Sequence, residues 1–269
     1  MAGFIYNGKS TKDILSEELL LETFDEGEIT VEIKRNIVSG DPTISRPISN
    51  EYGTTYDNLV IKYGLVKKDG NRFSDEEQEK IEQWLTSPKT STDLQLYDDL
   101  YNDTEIFCGL FTSMEWHSLG EGWIGLMFEF TCNSGYGKKY FKQNLNVSSN
   151  QTITINNPSD ELEEYTYPVI TLLQSSDATQ NITIKNITDN NRSMSFKINK
   201  NSTTVIDCKH CIPKTQTGIM TYEDLGWEDV GNIYWLRLLP GDNQLQISGT
   251  SSITIEFEYP CKKIGGWRL

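Results

Sequence analysis

Hydrophobic positions along this chain recur mostly with a period of two, in short runs. Ile29, Val31 and Ile33 alternate with charged and polar residues across 28–34, Leu59, Ile61 and Tyr63 do so from Asn58 onward, and Ile124, Leu126, Phe128 and Phe130 line one side of 123–132. Successive side chains on a strand point to opposite faces, so each run predicts a strand with one buried face. Residues 94–97 and 105–112 read the same way. A helical period is clearest after Ser74-Asp75-Glu76-Glu77, a capping box in which Ser74 and Glu77 satisfy each other's backbone amides. The three acidic residues complement the positive end of the helix dipole. Ile81, Trp84 and Leu85 then form one apolar stripe, and Ser87-Pro88 stops the helix. Residues 4–21, broken by Asn7-Gly8, read as irregular strands and turns. Between 35 and 56 the chain carries Ser39-Gly40-Asp41-Pro42, Arg46-Pro47 and Tyr52-Gly53, too much punctuation for a packed element. Because alternation resumes at Asn58, this stretch is expected to be a β-hairpin arm reaching out from the body.

Gly135-Tyr136-Gly137-Lys138-Lys139 interrupts the pattern and marks the expected domain boundary. Beyond it, short alternating strands are predicted at 152–155, 167–173, 182–187, 194–198, 204–208, 233–239, 244–248 and 253–259, separated mostly by Asn, Ser, Asp and Gly. Residues 232–249 read as a hairpin, with Pro240-Gly241-Asp242-Asn243 at its turn and Leu236, Leu238, Leu245 and Ile247 as packing positions. The expected fold is mainly β. It comprises an α+β N-terminal domain with one helix over 1–137 and an antiparallel β-sandwich of galectin-like or jelly-roll type over 138–269.

Charge narrows the functional classes. A net charge of −15 and a pI near 4.6 oppose binding to a phosphate backbone. The N-terminus has neither a basic nor an apolar leader region, and no apolar run approaches a membrane span, so folding in a cytosol without membrane insertion is expected. The five cysteines, Cys108, Cys132, Cys208, Cys211 and Cys261, are accordingly expected to stay reduced. Asn-x-Ser/Thr triplets such as Asn181-Ile182-Thr183 read as polar positions of strands.

Candidate chemistry is sparse. Cys208-Lys209-His210-Cys211 has zinc-like spacing but no second ligand pair, and reads as a turn. His117 and His210 are the two histidines, and neither stands in a nucleophile context. The acidic clusters Asp98-Asp99, Asp160-Glu161 and Glu163-Glu164 lack calcium-loop spacing, and Gly135-x-Gly137 lacks the third glycine of a phosphate loop. Tyr165, Tyr167, Tyr222, Trp227 and Tyr234 are an aromatic set able to stack on sugars or to serve a core or an interface. No catalytic, cofactor-binding or metal-binding residue is assigned.

Five segments together carry a resemblance. They are Phe4-Ile5-Tyr6-Asn7-Gly8, the helix from Phe73-Ser74-Asp75-Glu76-Glu77 to Trp84-Leu85, residues 94–97, Val205-Ile206-Asp207-Cys208, and the stretch holding Trp235, Leu239-Pro240-Gly241-Asp242-Asn243 and Ile247-Ser248-Gly249. In this order and spacing the chain resembles the distal tail protein of siphophages of Gram-positive bacteria. The resemblance implies a non-enzymatic virion protein at the tail tip, assembled in the host cytoplasm. Its N-terminal belt domain would close a homo-hexameric ring, the arm at 35–56 would reach the neighbouring subunit, and the C-terminal domain would hold baseplate parts. Implied partners are the major tail tube protein, a tail-tip or tail-associated lysin protein and a receptor-binding protein. Two rival readings come from other classes: a carbohydrate-binding module or adhesin using the C-terminal sandwich, and a cell-wall glycan hydrolase. The hydrolase is the weakest, because no spacing singles out two carboxylates.

Overall fold

The computed structural model describes residues 2–15, 19–22, 34–40, 51–98, 105–148, 150–175, 177–215, 218–227 and 234–262. The strand expected at 28–34 lies outside them, apart from Lys34. The chain forms two compact units, Met1–Lys138 with Cys261–Leu269, and Lys139–Pro260. The second unit therefore ends at Pro260 rather than at the C-terminus.

In the first unit the elements are β1 (Ala2–Tyr6), β2 (Lys9–Ser10), α1 (Thr11–Ile14), β3 (Leu19–Glu22), β4 (Arg35–Ser39), β5 (Glu51–Tyr56), β6 (Val60–Lys67), α2 (Asp75–Thr86), β7 (Thr92–Asp98), β8 (Glu105–Ser118) and β9 (Trp123–Cys132). Seven strands pair antiparallel in the order β2-β1-β7-β8-β9-β6-β3. Asn7 and Gly8, both at positive φ, make the tight turn joining β1 to β2. The predicted faces of β6 and β9 point inward: Leu59, Ile61, Tyr63, Leu126, Phe128 and Phe130 are all buried.

Helix α2 forms where its capping box places it, with Ser74 N–H donating to Glu77 Oε2 at 2.7 Å and Glu77 N–H to Ser74 Oγ at 3.4 Å. Its stripe packs on β1. The Trp84 ring stacks on Phe4 with centroids 5.1 Å apart, and its indole N–H donates to the Tyr6 carbonyl at 3.0 Å. Lys67, buried on β6, reaches Glu77 at 2.7 Å and ties the helix to that strand as well. A second, four-residue helix, α1, carries its own capping box from Ser10 and Asp13. Tertiary support explains it, since four residues do not hold a helix alone.

The second unit is a two-layer sandwich built from β10 (Gly137–Ser148), β11 (Gln151–Asn157), β12 (Val169–Gln174), β13 (Gln180–Asn186), β14 (Arg192–Ile198), β15 (Ser202–Asp207), β16 (Ile212–Thr215), β17 (Gly218–Ile219), β18 (Gly241–Ser248) and β19 (Thr250–Cys261), with a short 3-10 turn at Glu223–Leu225. One layer runs β17-β16-β15-β12-β19-β10 and the other β11-β18-β13-β14. Ile170, Leu172, Ile206 and Ile255 from the first meet Ile155, Ile184, Leu245 and Ile247 from the second in one core. Burying such side chains contributes about 1.5–3 kcal/mol each.

The hairpin expected at 232–249 is not formed. β18 pairs with β11 and β13, whereas 234–237 has no regular structure and Leu238 makes a single bridge to Thr166. The reason lies in three buried asparagines. Asn243 accepts from Leu239 N–H at 2.9 Å and donates to Leu239 O at 2.7 Å, imitating a strand partner. Asn186 donates to Arg237 O at 3.0 Å and Asn157 to Leu239 O at 3.2 Å. Side-chain amides thus satisfy backbone groups that a ladder would otherwise take. Leu236, Leu238, Leu245 and Ile247 remain buried as expected.

Candidate functional site

Two features stand out, one in each unit. In the first unit, β4 and β5 ladder only with each other among the described residues, as a two-stranded ribbon from Arg35↔Tyr56 to Ser39↔Glu51. Every residue of β4 is exposed, as is every residue of β5 except Tyr56. Ile37 and Tyr52 are each 68% exposed and Val38 joins them, so the ribbon presents apolar side chains without a core to bury them. An isolated hairpin is marginal in water. The ribbon's root is well held: Asn36 donates to Asp57 at 2.6 Å, and the Tyr56 ring meets Tyr136 edge-on with centroids 5.3 Å apart. Gly135 permits this closeness, because a Cβ there would stand 2.5 Å from that of Tyr56.

In the second unit a cleft of about 980 Å³ opens beside β10 and β19. Two extended segments wall it. Thr166 and Leu238 bridge through their backbones and are both buried; Tyr165 and Tyr167 on either side of Thr166, and Arg237 beside Leu238, line the cleft, as does Tyr234. Arg237 is fixed by Asp189 through Nε–Oδ2 at 2.8 Å and Nη2–Oδ1 at 3.1 Å, and its guanidinium lies 3.7 Å from the Tyr165 ring centroid. The bond from Asp189 raises the Arg237 pKa further. Arg192 sits 5.2 Å over Tyr234.

Tyr140 on β10, Glu256 on β19 and Asp207 on β15 line the cleft as well. Lys142 holds Glu256 at 2.5 Å and, with a further bond from Tyr140, keeps that carboxyl below its usual range. Asp207 is pushed up by burial but more strongly down by bonds from the His210 ring at 2.8 Å and from nearby backbone amides.

The aromatic set is only partly gathered. Tyr165, Tyr167 and Tyr234 share the cleft, while Tyr222 and Trp227 adjoin it through Trp235, at 6.2 and 5.2 Å between centroids. Tyr140 was not singled out by sequence; alternation from Lys139 along β10 was its signal. The Cys208–Cys211 stretch is the turn between β15 and β16, with Cys208 buried and its thiol pushed up to about 12, chiefly by burial. His117 stands on β8, Glu164 lines the cleft, and Asp99 is outside the described residues. Among the described residues no three His, Cys, Asp or Glu gather as metal ligands, and no helix is long and apolar enough to cross a membrane.

This architecture is that of a phage tail component. Residues 1–134 match the family described as phage tail protein N-terminal domain and residues 135–259 that described as phage tail C-terminal domain, and the chain belongs to these phage tail proteins. Among solved structures it is similar to SPP1 Dit (gp 19.1), described as a paradigm of the hub adsorption apparatus in Gram-positive infecting phages. That match has a TM-score of 0.61 and 12% identity over 96% of this chain and 99% of the other. A chain of the phage P2 baseplate in its activated conformation with Ca is also similar, with a TM-score of 0.52 and 8% identity over 98% of this chain and 100% of that one. At these identities the likeness is one of fold. No curated protein sequence matches the chain significantly.

Proposed function

We propose that this chain is the distal tail hub of its phage, a non-enzymatic subunit that closes a ring at the tail tip and anchors tail-tip or receptor-binding components. The observation that carries the reading is the β4–β5 ribbon, which exposes Ile37, Val38 and Tyr52 outside the main sheet of its unit. An unpartnered ribbon with apolar side chains is a liability in a monomer and an asset where a neighbour covers it. Repetition of one such head-to-tail contact closes a ring when its rotation closes, and the resemblance to distal tail proteins sets the expected number at about six copies. The belt domain is 1–137 with the returning tail, and the second unit is the anchoring domain. The tail tube protein and a tail-tip or lysin protein are the axial partners. The acidic composition suits a channel that DNA crosses without adhering, since anionic walls repel phosphates. Gold labelling of a tagged copy on phage particles tests the placement. Label at the tail tip is expected, and label confined to the capsid would overturn it.

A further inference from the structure

The geometry points to the second-unit cleft as a binding site for neutral pyranose oligosaccharide, a function separate from ring assembly. At about 980 Å³ the cleft lies at the upper end of the roughly 300–1,000 Å³ typical of small-molecule sites, which leaves room for more than one sugar ring. Its walls present Tyr140, Tyr165, Tyr167, Tyr234 and Trp235. Tyr140, Tyr165, Tyr167 and Tyr234 are exposed, and they are the exposed aromatic side chains among the cleft's lining; the unit's other exposed large apolar side chains, such as Leu162, Leu173 and Ile219, are mostly aliphatic and lie outside that lining. A pyranose has an apolar face of C–H groups and a rim of hydroxyls. Aromatic rings stack on the face, and fixed donors and acceptors take the rim.

Charge pairing selects a neutral ligand. Arg237 is bound to Asp189 and Glu256 to Lys142, so these ions already have counter-ions, and the Asp207 carboxylate is hydrogen-bonded to the His210 ring. Glu164 and Glu258 against Arg192 and Lys209 bring the two signs of charge in equal number to the rest of the lining. A charged ligand would have to displace a partner, whereas a hydroxyl can share a paired carboxylate or guanidinium. The platform is also pre-oriented. Asp189 is buried, and its backbone N–H donates to Asn186 Oδ1 at 3.3 Å. It grips Arg237 with both oxygens, and the Arg237 guanidinium carbon lies over the Tyr165 ring, 3.7 Å from its centroid, so one face of that ring is held and the ring loses little freedom on binding. A flat protein-docking patch would not need concavity or a ring clamped from behind.

The test uses the full chain against an array of short neutral oligosaccharides of glucose, galactose, N-acetylglucosamine and N-acetylgalactosamine, with calorimetric titration of the best binder. At least one is expected to bind. Tyr165→Ala and Tyr234→Ala are each expected to weaken it about tenfold, the upper end of what one aromatic contact contributes. Tyr140→Ala, on a regular strand, provides a variant that leaves the wall segments untouched, and Tyr52→Ala on the ribbon should leave binding unchanged. Absence of binding to every glycan, or binding indifferent to all three cleft variants, overturns the proposal. So does capture of a tail protein that the same variants abolish, which would make the cleft a protein-docking face. Because ring formation is read separately, failure here leaves the hub assignment standing.

Discussion

Lys262, near the end of the chain, lies 4.8 Å over the ring of Tyr56 and donates to its hydroxyl at 2.7 Å. Tyr56 closes the β4–β5 ribbon, and Arg35 covers the same ring at 5.6 Å. The returning C-terminal segment therefore fastens the root of the element assigned to ring contact.

Replacing Lys262 by Met keeps the stem but removes the charge and the donor. The loss should be about 1–2 kcal/mol, from a surface cation–π contact and one hydrogen bond. Hydrogen exchange at β5 should accelerate while β6 and β9 stay protected. Unchanged exchange at β5 would show that the tail does not hold the ribbon.

The Asp189–Arg237 pair should respond asymmetrically to truncation. Arg237→Ala leaves a buried carboxylate without its counter-ion and should cost about 3 kcal/mol, whereas Asp189→Ala lets Arg237, nearer the surface, turn toward water and should cost less. Chemical denaturation gives the totals, and hydrogen exchange assigns the loss to the second unit. Equal costs would mean that Asp189 reaches water in the folded chain.

Two buried thiols predict alkaline sensitivity. Burial pushes both Cys132 and Cys208 up to about 12, and Cys108 adds to the effect at Cys132. The unfolded chain releases these protons from about pH 8.5. Above that pH it binds fewer protons than the folded chain, so stability falls as pH rises toward the folded values. Under reducing conditions the urea midpoint should drop between about pH 8 and about pH 10, and the Cys132→Ala, Cys208→Ala double variant should lose part of that drop. An identical slope in the variant would contradict the assignment.

Local rules carried much of the fold. The Ser74–Glu77 box, the Ile81-Trp84-Leu85 stripe and the alternation in β6 and β9 depend on neighbours in sequence, and each appears where its pattern placed it. The punctuated arm was legible because Gly and Pro exclude packed elements. The segment from 234 to 239 was misread because its apolar residues alternate like a strand, while its true partners are the amides of Asn157, Asn186 and Asn243. Asparagine in sequence reads as turn or surface, and nothing local reveals that three of them converge in a core. The cleft was half legible: three of the five aromatics suggested as stacking residues share it, but Arg237, Asp189 and Tyr140 depend on long-range register that one sequence does not disclose.

The central claim is ring closure through the exposed ribbon. Mass photometry and negative-stain imaging of the full chain, beside a variant carrying Ile37→Ser, Val38→Ser and Tyr52→Ser, test it most directly. The expected result is a closed ring of about six copies for the native chain and smaller species for the folded variant. A monomer at every concentration even with tail proteins added, or rings that survive the ribbon substitutions, would contradict it.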